Sequence, residues 1–344
     1  MSHLLKWGVP SVKVRACQLR SSAIDESSIA PLYDPKTQIL HFVDICENKI
    51  FHLDTKTLAF SVETFDEPIT CLALRNNEDG LACTTASGFA VLDEGSALRH
   101  LRKPLPEHHT PYVRFNDGAC DSKGRFFAGS IHSKDQGIPG QLWMYDPDTG
   151  ECKVVDEGPF TNNYRYFTDS LTNLIYAYDF DDGKLSNRRI VVDAIAQGLP
   201  ENTFCDGLCI DDEGYIWSAR FVAVERLILE HANRMTTGRW GGSRIVRFSP
   251  QGNIDTEIYF PTALNVTACC FGGVQLPWLV ENHNHSEFCS TGLNEDQLYV
   301  TTAHCGAVGG DSNLQEKYPD SGHLFVVDLS GHYKGGRWRY PFGG

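Results

Sequence analysis

The sequence predicts an all-β chain forming one domain over residues 1–344, a six-bladed β-propeller, and three observations carry that prediction. A strand-like run, a turn holding Asp or Asn beside Gly, and one or two further strands recur six times along the chain. Apolar and polar residues alternate inside short segments with few helical stretches between them, as expected of antiparallel four-stranded sheets repeated radially. A β-sandwich would need fewer and less similar units. With 41% apolar and 22% charged residues, the chain has the material for a sizeable core and no sign of disorder.

The first blade reads as Leu32-Tyr33-Asp34-Pro35, then Ile39 to Asp44, then Lys49 to Asp54. The second has Ile69 to Leu74, the turn Asn77-Glu78-Asp79-Gly80, Leu81 to Thr85 and Phe89 to Leu92; the third has Val113 to Asp121, Arg125 to Ser130 and Gln141 to Asp146. Tyr166 to Asp169 and Leu174 to Asp179 belong to the fourth, and Cys205 to Asp211, Tyr215 to Ala219 and Ile245 to Phe248 to the fifth. Val266 to Phe271, Gln297 to Thr302 and His323 to Asp328 complete the set. In such a fold the innermost strands surround a channel, and polar residues at one end of several of them converge on its axis.

Three stretches break the pattern. Phe221 to Arg239 reads as an inserted amphipathic helix, with Val224, Leu227, Ile228 and His231 at i, i+3, i+4 and i+7. Segments near 20–30 and 275–291 also intrude. Blade four is short, because Thr161-Asn162-Asn163 runs straight into Tyr164 where an inner strand and turn belong.

The formal charge of −14, with no Lys/Arg cluster, excludes a nucleic-acid surface. No apolar run approaches the roughly 20 residues a membrane helix needs. Met1 to Pro10 lacks the pattern of a secretory signal, so a cytoplasmic protein with no membrane partner is expected, and the sequons at Asn265 and Asn284 carry no weight. Twelve cysteines are scattered without a CxxC pair and read as buried thiols. There is no GxSxG elbow, HExxH helix or GxxxxGK loop.

Three blocks, Arg114-Phe115-Asn116-Asp117-Gly118 through Gly129, Asp206-Gly207-Leu208-Cys209-Ile210-Asp211 through Ala219, and Leu298-Tyr299-Val300-Thr301-Thr302-Ala303, resemble the gluconolactonase, regucalcin (senescence marker protein) and luciferin-regenerating enzyme family. The resemblance covers roughly residues 30 to 330 apart from the interruptions. It implies a six-bladed propeller with one divalent metal in a central metal-binding channel, Ca²⁺ or Zn²⁺. All-oxygen ligation also suits Mg²⁺ or Mn²⁺. The implied ligands are Asp206, Asn162 with Asn163 as alternative, and an early Glu, for which Glu26 of the pair Asp25-Glu26 stands nearest. Arg114 and Asn116 resemble the family's substrate-contacting pair; alternation on a strand places both on one face while Phe115 packs between blades.

Each of these residues has a plainer reading. An Asp beside Gly is most often a turn residue, and Asp34, Asp121 and Asp211 are read so, whereas Asp206 opens an inner strand. His132 and His304 read as ordinary surface or core histidines, and His283-x-His285 falls in an interrupting segment. The implied activity is metal-dependent hydrolysis of a small sugar-type lactone, with Asp206 as general base and Arg114 and Asn116 on the substrate. Two alternatives stand beside it: a calcium-binding regulatory protein without turnover, and a mis-spliced product of the same family. The last is motivated by Trp217-Ser218-Ala219-Arg220, which reads on unbroken into Trp240-Gly241-Gly242-Ser243 once the intervening segment is removed.

Overall fold

The computed structural model describes residues 13–16, 28–76, 79–93, 97–158, 166–222, 242–273, 295–307, 310–336 and 339–344. Glu26, Asn162, Asn163, His283, His285 and the expected helix over 223–239 lie outside the described residues, as does 275–291.

Blade one comprises β2 (Ser28–Asp34), β3 (Ile39–Asp44), β4 (Lys49–Asp54) and β5 (Phe60–Thr64), hydrogen-bonded in that order. Blade two comprises β6 (Ile69–Leu74), β7 (Leu81–Thr85), β8 (Phe89–Asp93) and β9 (Ala97–Arg102), and blade three β10 (Phe115–Cys120), β11 (Phe126–Ser130), β12 (Gly140–Tyr145) and β13 (Cys152–Gly158). Blade four has three described strands, β14 (Tyr166–Asp169), β15 (Leu174–Asp181) and β16 (Lys184–Asp193). Blade five is β17 (Thr203–Ile210), β18 (Ile216–Val222), β19 (Arg244–Phe248) and β20 (Ile254–Tyr259). Blade six is β21 (Asn265–Gly272), β22 (Gln297–Ala303), β23 (Leu324–Asp328) and, from the other end of the chain, β1 (Lys13–Ala16). That last pairing closes the ring, joining both ends of the described chain in one sheet and covering an otherwise open strand edge. Ser28 to Ala30 and Phe221-Val222, read from sequence as parts of interruptions, lie in strands β2 and β18.

The recurrent Asp at strand ends has one local cause. Its carboxylate accepts backbone N–H groups two or three residues on, as Asp34 does from Lys36, Asp44 from Cys46, Asp54 from Lys56 and Asp146 from Asp148. Gly124 adopts φ 79° in such a turn, and a Cβ there would meet the backbone nitrogen of Gly343 at 2.4 Å. Gly335, Tyr340 and Phe342 lie on this same face, bridging Asp211, Cys120 and Arg75 at the ends of β17, β10 and β6. The inner strands therefore finish on this lower face and begin on the opposite, upper one.

All five inner strands β2, β6, β10, β17 and β21 carry a register shift against their partners near their upper ends, at Ile29/Leu32, Ile69/Cys71, Phe115/Gly118, Cys205/Leu208 and Val266/Ala268. Such bulges bend a strand and re-aim its side chains. β14 pairs with β15 without one. It also runs the other way: Asn173, just after it, accepts the Cys205 N–H near the upper end of β17, while Asp182, after β15, meets Lys123 and Arg125 on the lower face. Blade four thus lacks a descending, bulged inner strand among its described residues.

Packing between blades is aromatic and aliphatic. Phe89, Phe115 and Phe126 join blades two and three, and Trp217, Val266, Leu298 and Phe325 join five and six. Polar contacts occur as well: Arg125 joins Asp121 of blade three to Asp182 of blade four, and a second cluster lies within blade five. Asp211, fully shielded, accepts Trp217 Nε1 at 2.9 Å and Arg247 Nε at 2.8 Å, and the Arg247 guanidinium lies 3.6 Å from the Tyr215 ring centre and 4.3 Å from that of Tyr333.

On the flank of blade one, His41 and His52 touch each other. Burial, helped by the positive charge His52 would carry, holds His41 down to about 3; Asp34 acts the other way. Burial also lowers His52, against the Glu63 carboxylate. A histidine lowered in the folded state contributes stability that is complete above its unfolded value near 6.5 and is lost as pH falls toward the folded value. The expected result is a loss of up to about 1.4 kcal/mol per pH unit from His41 between pH 6.5 and about 3, with His52 adding a loss of the same sign. Urea melts across this range check it, with His41→Phe flattening the slope.

Candidate functional site at the upper channel mouth

Arg114 immediately precedes β10, and its carbonyl accepts the Ile131 N–H at 2.9 Å, which fixes the strand's upper end against β11. Its guanidinium Nη1 donates to Asn116 Oδ1 at 2.7 Å and to the Phe115 carbonyl at 2.9 Å. Asn116 and Arg114 are half-buried, while Phe115 between them is fully buried against Phe89 and Trp143. The bulge at Phe115/Gly118 keeps the polar pair at the channel mouth. Gly118 is required here, since a Cβ would meet the Phe127 carbonyl at 2.3 Å.

Asp206 is the fourth residue of β17, at the bulge between Cys205 and Leu208, rather than its first residue. The following Gly207 permits close approach of blade six, because a Cβ would meet that of Ala268 at 2.5 Å. Both Asp-Gly steps in the inner strands thus come from crowding at bulges and not from turns. Asp206 is half-buried, and its carbonyl accepts the Thr168 hydroxyl at 3.2 Å. Burial lowers the Arg114 pKa, and the charges of Cys46 and Asp206 oppose that shift, which puts Asp206 within electrostatic reach of the guanidinium. Arg114, Asn116 and Asp206 are therefore gathered at one mouth. Thr168, and Cys46 in the β3–β4 turn, were not singled out by sequence, because neither stands in a recognisable motif.

The remaining polar residues keep their plainer readings. Asp121 accepts the Lys123 and Arg125 N–H groups, Asp211 those of Glu213 and Tyr215, and His304 Nδ1 that of Gly306, all in turns. His132 lies within electrostatic reach of Asp169, whose carboxyl burial pushes up. The described cysteines are free thiols, mostly buried, with burial pushing Cys270 up to about 12; Cys46 is exposed, against expectation. A cavity of about 950 Å³ opens on the lower face between blades one and two, away from Asp206.

Of the three residues expected to hold a metal, Asp206 alone is described, and no group of three His, Cys, Asp or Glu side chains at ligating distance occurs among the described residues. What is described of the set fits a hard cation in its chemistry: Asp206 offers a half-buried carboxylate, an oxygen donor of the kind such ions take.

Six sheets arranged radially define a six-bladed β-propeller. The chain belongs to the SMP-30/Gluconolactonase/LRE-like region family, whose model matches residues 28–280. Regucalcin of Danio rerio is 28% identical over 330 residues, covering 92% of this chain and 94% of the relative, and human regucalcin 27% over 334 residues with the same coverage. Among solved structures, a luciferin-regenerating enzyme superposes with TM-score 0.71 at 21% identity, covering 97% of this chain and 99% of the other. A calcium-binding regucalcin from Agrobacterium tumefaciens gives 0.69 at 17%, covering 96% and 97%, and a Xanthomonas campestris gluconolactonase 0.58 at 13%, covering 89% and 86%. These likenesses establish the six-bladed fold. Among the described residues, no helix is long and apolar enough to cross a membrane.

Proposed function

We propose that this protein hydrolyses sugar-type lactones with a divalent cation in its channel. The observation that carries the reading is that Asp206 and the Arg114–Asn116 pair stand at bulges near the upper ends of two inner strands, with Asp206 in electrostatic reach of the guanidinium. Family membership supports the substrate class.

Asp206, with Asn162 and Glu26, would hold the cation. When bound, such an ion polarises a lactone carbonyl and makes water a better nucleophile, contributions worth several kcal/mol together. Asp206 takes the proton of the attacking water as its oxygen bonds to the carbonyl carbon. The ring C–O bond then breaks and Asp206 returns that proton to the departing alkoxide, giving the open hydroxy acid and the ionised Asp206 again. Arg114 holds the developing oxyanion; Asn116, steadied by Arg114 through its Oδ1, presents its amide N–H groups to a substrate hydroxyl. The partly desolvated guanidinium makes that contact stronger than it would be in water. Arg114→Lys, which keeps the charge but loses the fork, is expected to lower kcat about 100-fold, and Asn116→Ala to act mainly on KM. Initial rates on an aldonolactone series in a pH-stat check the split; equal loss on both parameters in both variants contradicts it.

A second reading, a calcium-binding regulator without turnover, is favoured by the regucalcin relatives. Purified wild type separates the two, since a regulator binds Ca²⁺ while hydrolysing no lactone.

A further inference from the structure

We propose that His41 and His52 form a second cation site, on the flank of blade one, taking a borderline divalent ion of the Zn²⁺ kind. The two histidines face each other directly across β3 and β4. Their Nδ1 atoms stand 2.6 Å apart with the rings at 80°. Two like nitrogens at that distance share one proton, and a small separation would let both reach one ligand. His41 is 8% exposed, so water does not compete freely for its ring. On the next strand, Glu63 sets Oε1 3.5 Å from His52 Nε2. At that separation the two make an ionic contact without a hydrogen bond; drawn closer on metal binding, the carboxylate would hold the proton on Nε2 and leave Nδ1 as the lone pair facing the ligand position, as in many zinc sites.

The site needs little rearrangement. With Zn–N bonds of roughly 2.0–2.1 Å at a tetrahedral centre, the two nitrogens sit about 3.3 Å apart, so the rings must part by about 0.7 Å. His41 then carries its proton on Nε2 instead of Nδ1, and no net proton is released. Both histidines and Glu63 line the 950 Å³ cavity on the lower face, which has room for water to complete the coordination. Two imidazoles select Zn²⁺, Ni²⁺ or Cu²⁺ over Ca²⁺ or Mg²⁺, unlike the oxygen set at the channel mouth. Burial keeps the His41 ring neutral at physiological pH and pushes His52 in the same direction, which weakens proton competition for the site. The competing view is a hydrogen-bonded packing pair that binds nothing.

The site is independent of the activity proposed above, and the experiment keeps the two apart. Chelator-treated Asp206→Ala protein is titrated with ZnCl₂ by calorimetry in excess CaCl₂. One equivalent of Zn²⁺ is expected to bind, to be lost in Asp206→Ala/His52→Gln, and to bind about 10-fold more weakly in Asp206→Ala/Glu63→Gln. No binding in Asp206→Ala, or undiminished binding with His52→Gln, overturns the proposal. Should the His52 variant fail to fold, the Glu63 variant on the partly exposed outer strand decides: unchanged affinity there overturns it equally.

Discussion

Asp206→Ala is expected to lower kcat for aldonolactone hydrolysis by about 1,000-fold or more, and to remove the channel's tight divalent-metal binding in the same step. The effect is large because one carboxylate serves two purposes in the proposed site. Loss of a general base alone costs about 100- to 10,000-fold, and loss of a metal ligand compounds it. Stability should change little: Asp206 is half-buried, and its hydrogen bond to Thr168 runs through the backbone carbonyl, which the substitution keeps. Parallel kinetics, metal titration and thermal melts make the comparison. A variant that keeps its rate while losing metal would detach the activity from the cation.

Arg247→Ala is the second large effect, and it falls on the fold. Arg247 Nε and Nη2 face the shielded Asp211 carboxylate, Nη1 bonds Asp255 at 2.7 Å, and the guanidinium packs on Tyr215 and Tyr333. Removing one partner of a buried ion pair leaves the other charge without compensation, at a cost of about 3–5 kcal/mol. The Trp217 indole N–H and the Glu213 and Tyr215 backbone groups still bond Asp211, which favours the lower part of that range. Urea unfolding measures it. Arg247→Met, which keeps the stem against the aromatic rings, should recover part of the packing but not the charge. A loss below 1 kcal/mol in Arg247→Ala would show that the carboxylate is well satisfied without its cation.

The propeller was legible because its repeat is written in short-range chemistry. Asp34, Asp54, Asp146 and their counterparts cap turns within a few residues of themselves, so their spacing reports the strands directly. Ring closure by β1 was not legible, since Lys13–Ala16 is a four-residue strand whose partner Leu324–Asp328 lies at the far end of the chain. The placing of Gly335, Tyr340 and Phe342 on the lower face was equally hidden, being fixed by isolated bridges to three blades rather than by a local pattern.

At the site, Arg114, Asn116 and Asp206 were found through motifs, but the reason for those motifs is three-dimensional. Gly118 and Gly207 resemble turn glycines in sequence, yet each is required by a neighbouring strand that would collide with a Cβ. The bulges that aim Asn116 and Asp206 cannot be read from a two-residue alternation, because each inserts residues that have no opposite number on the partner strand. The facing of His41 and His52 depends on strand register, and nothing in the segments Ile39 to Asp44 and Lys49 to Asp54 announces it.

Blade four bears most directly on whether the channel works as proposed. Its described strands lack the descending, bulged partner that the other five blades supply, and the junction after Thr161 is where a skipped exon piece would fall. Sequencing the transcript across that junction distinguishes a natural shortening from mis-splicing. A transcript that encodes the sequence as it stands supports a shortened blade, and one carrying additional codons there identifies the mis-spliced product.

The central claim is a lactone hydrolase that depends on a divalent cation. Its most direct test is hydrolysis of glucono-δ-lactone by chelator-treated protein, with Ca²⁺, Mn²⁺ or Zn²⁺ added back singly and the spontaneous rate subtracted. The account predicts activity that is lost with the chelator and restored by at least one of the three ions. Absence of turnover with every ion, extended across other aldonolactones, contradicts it.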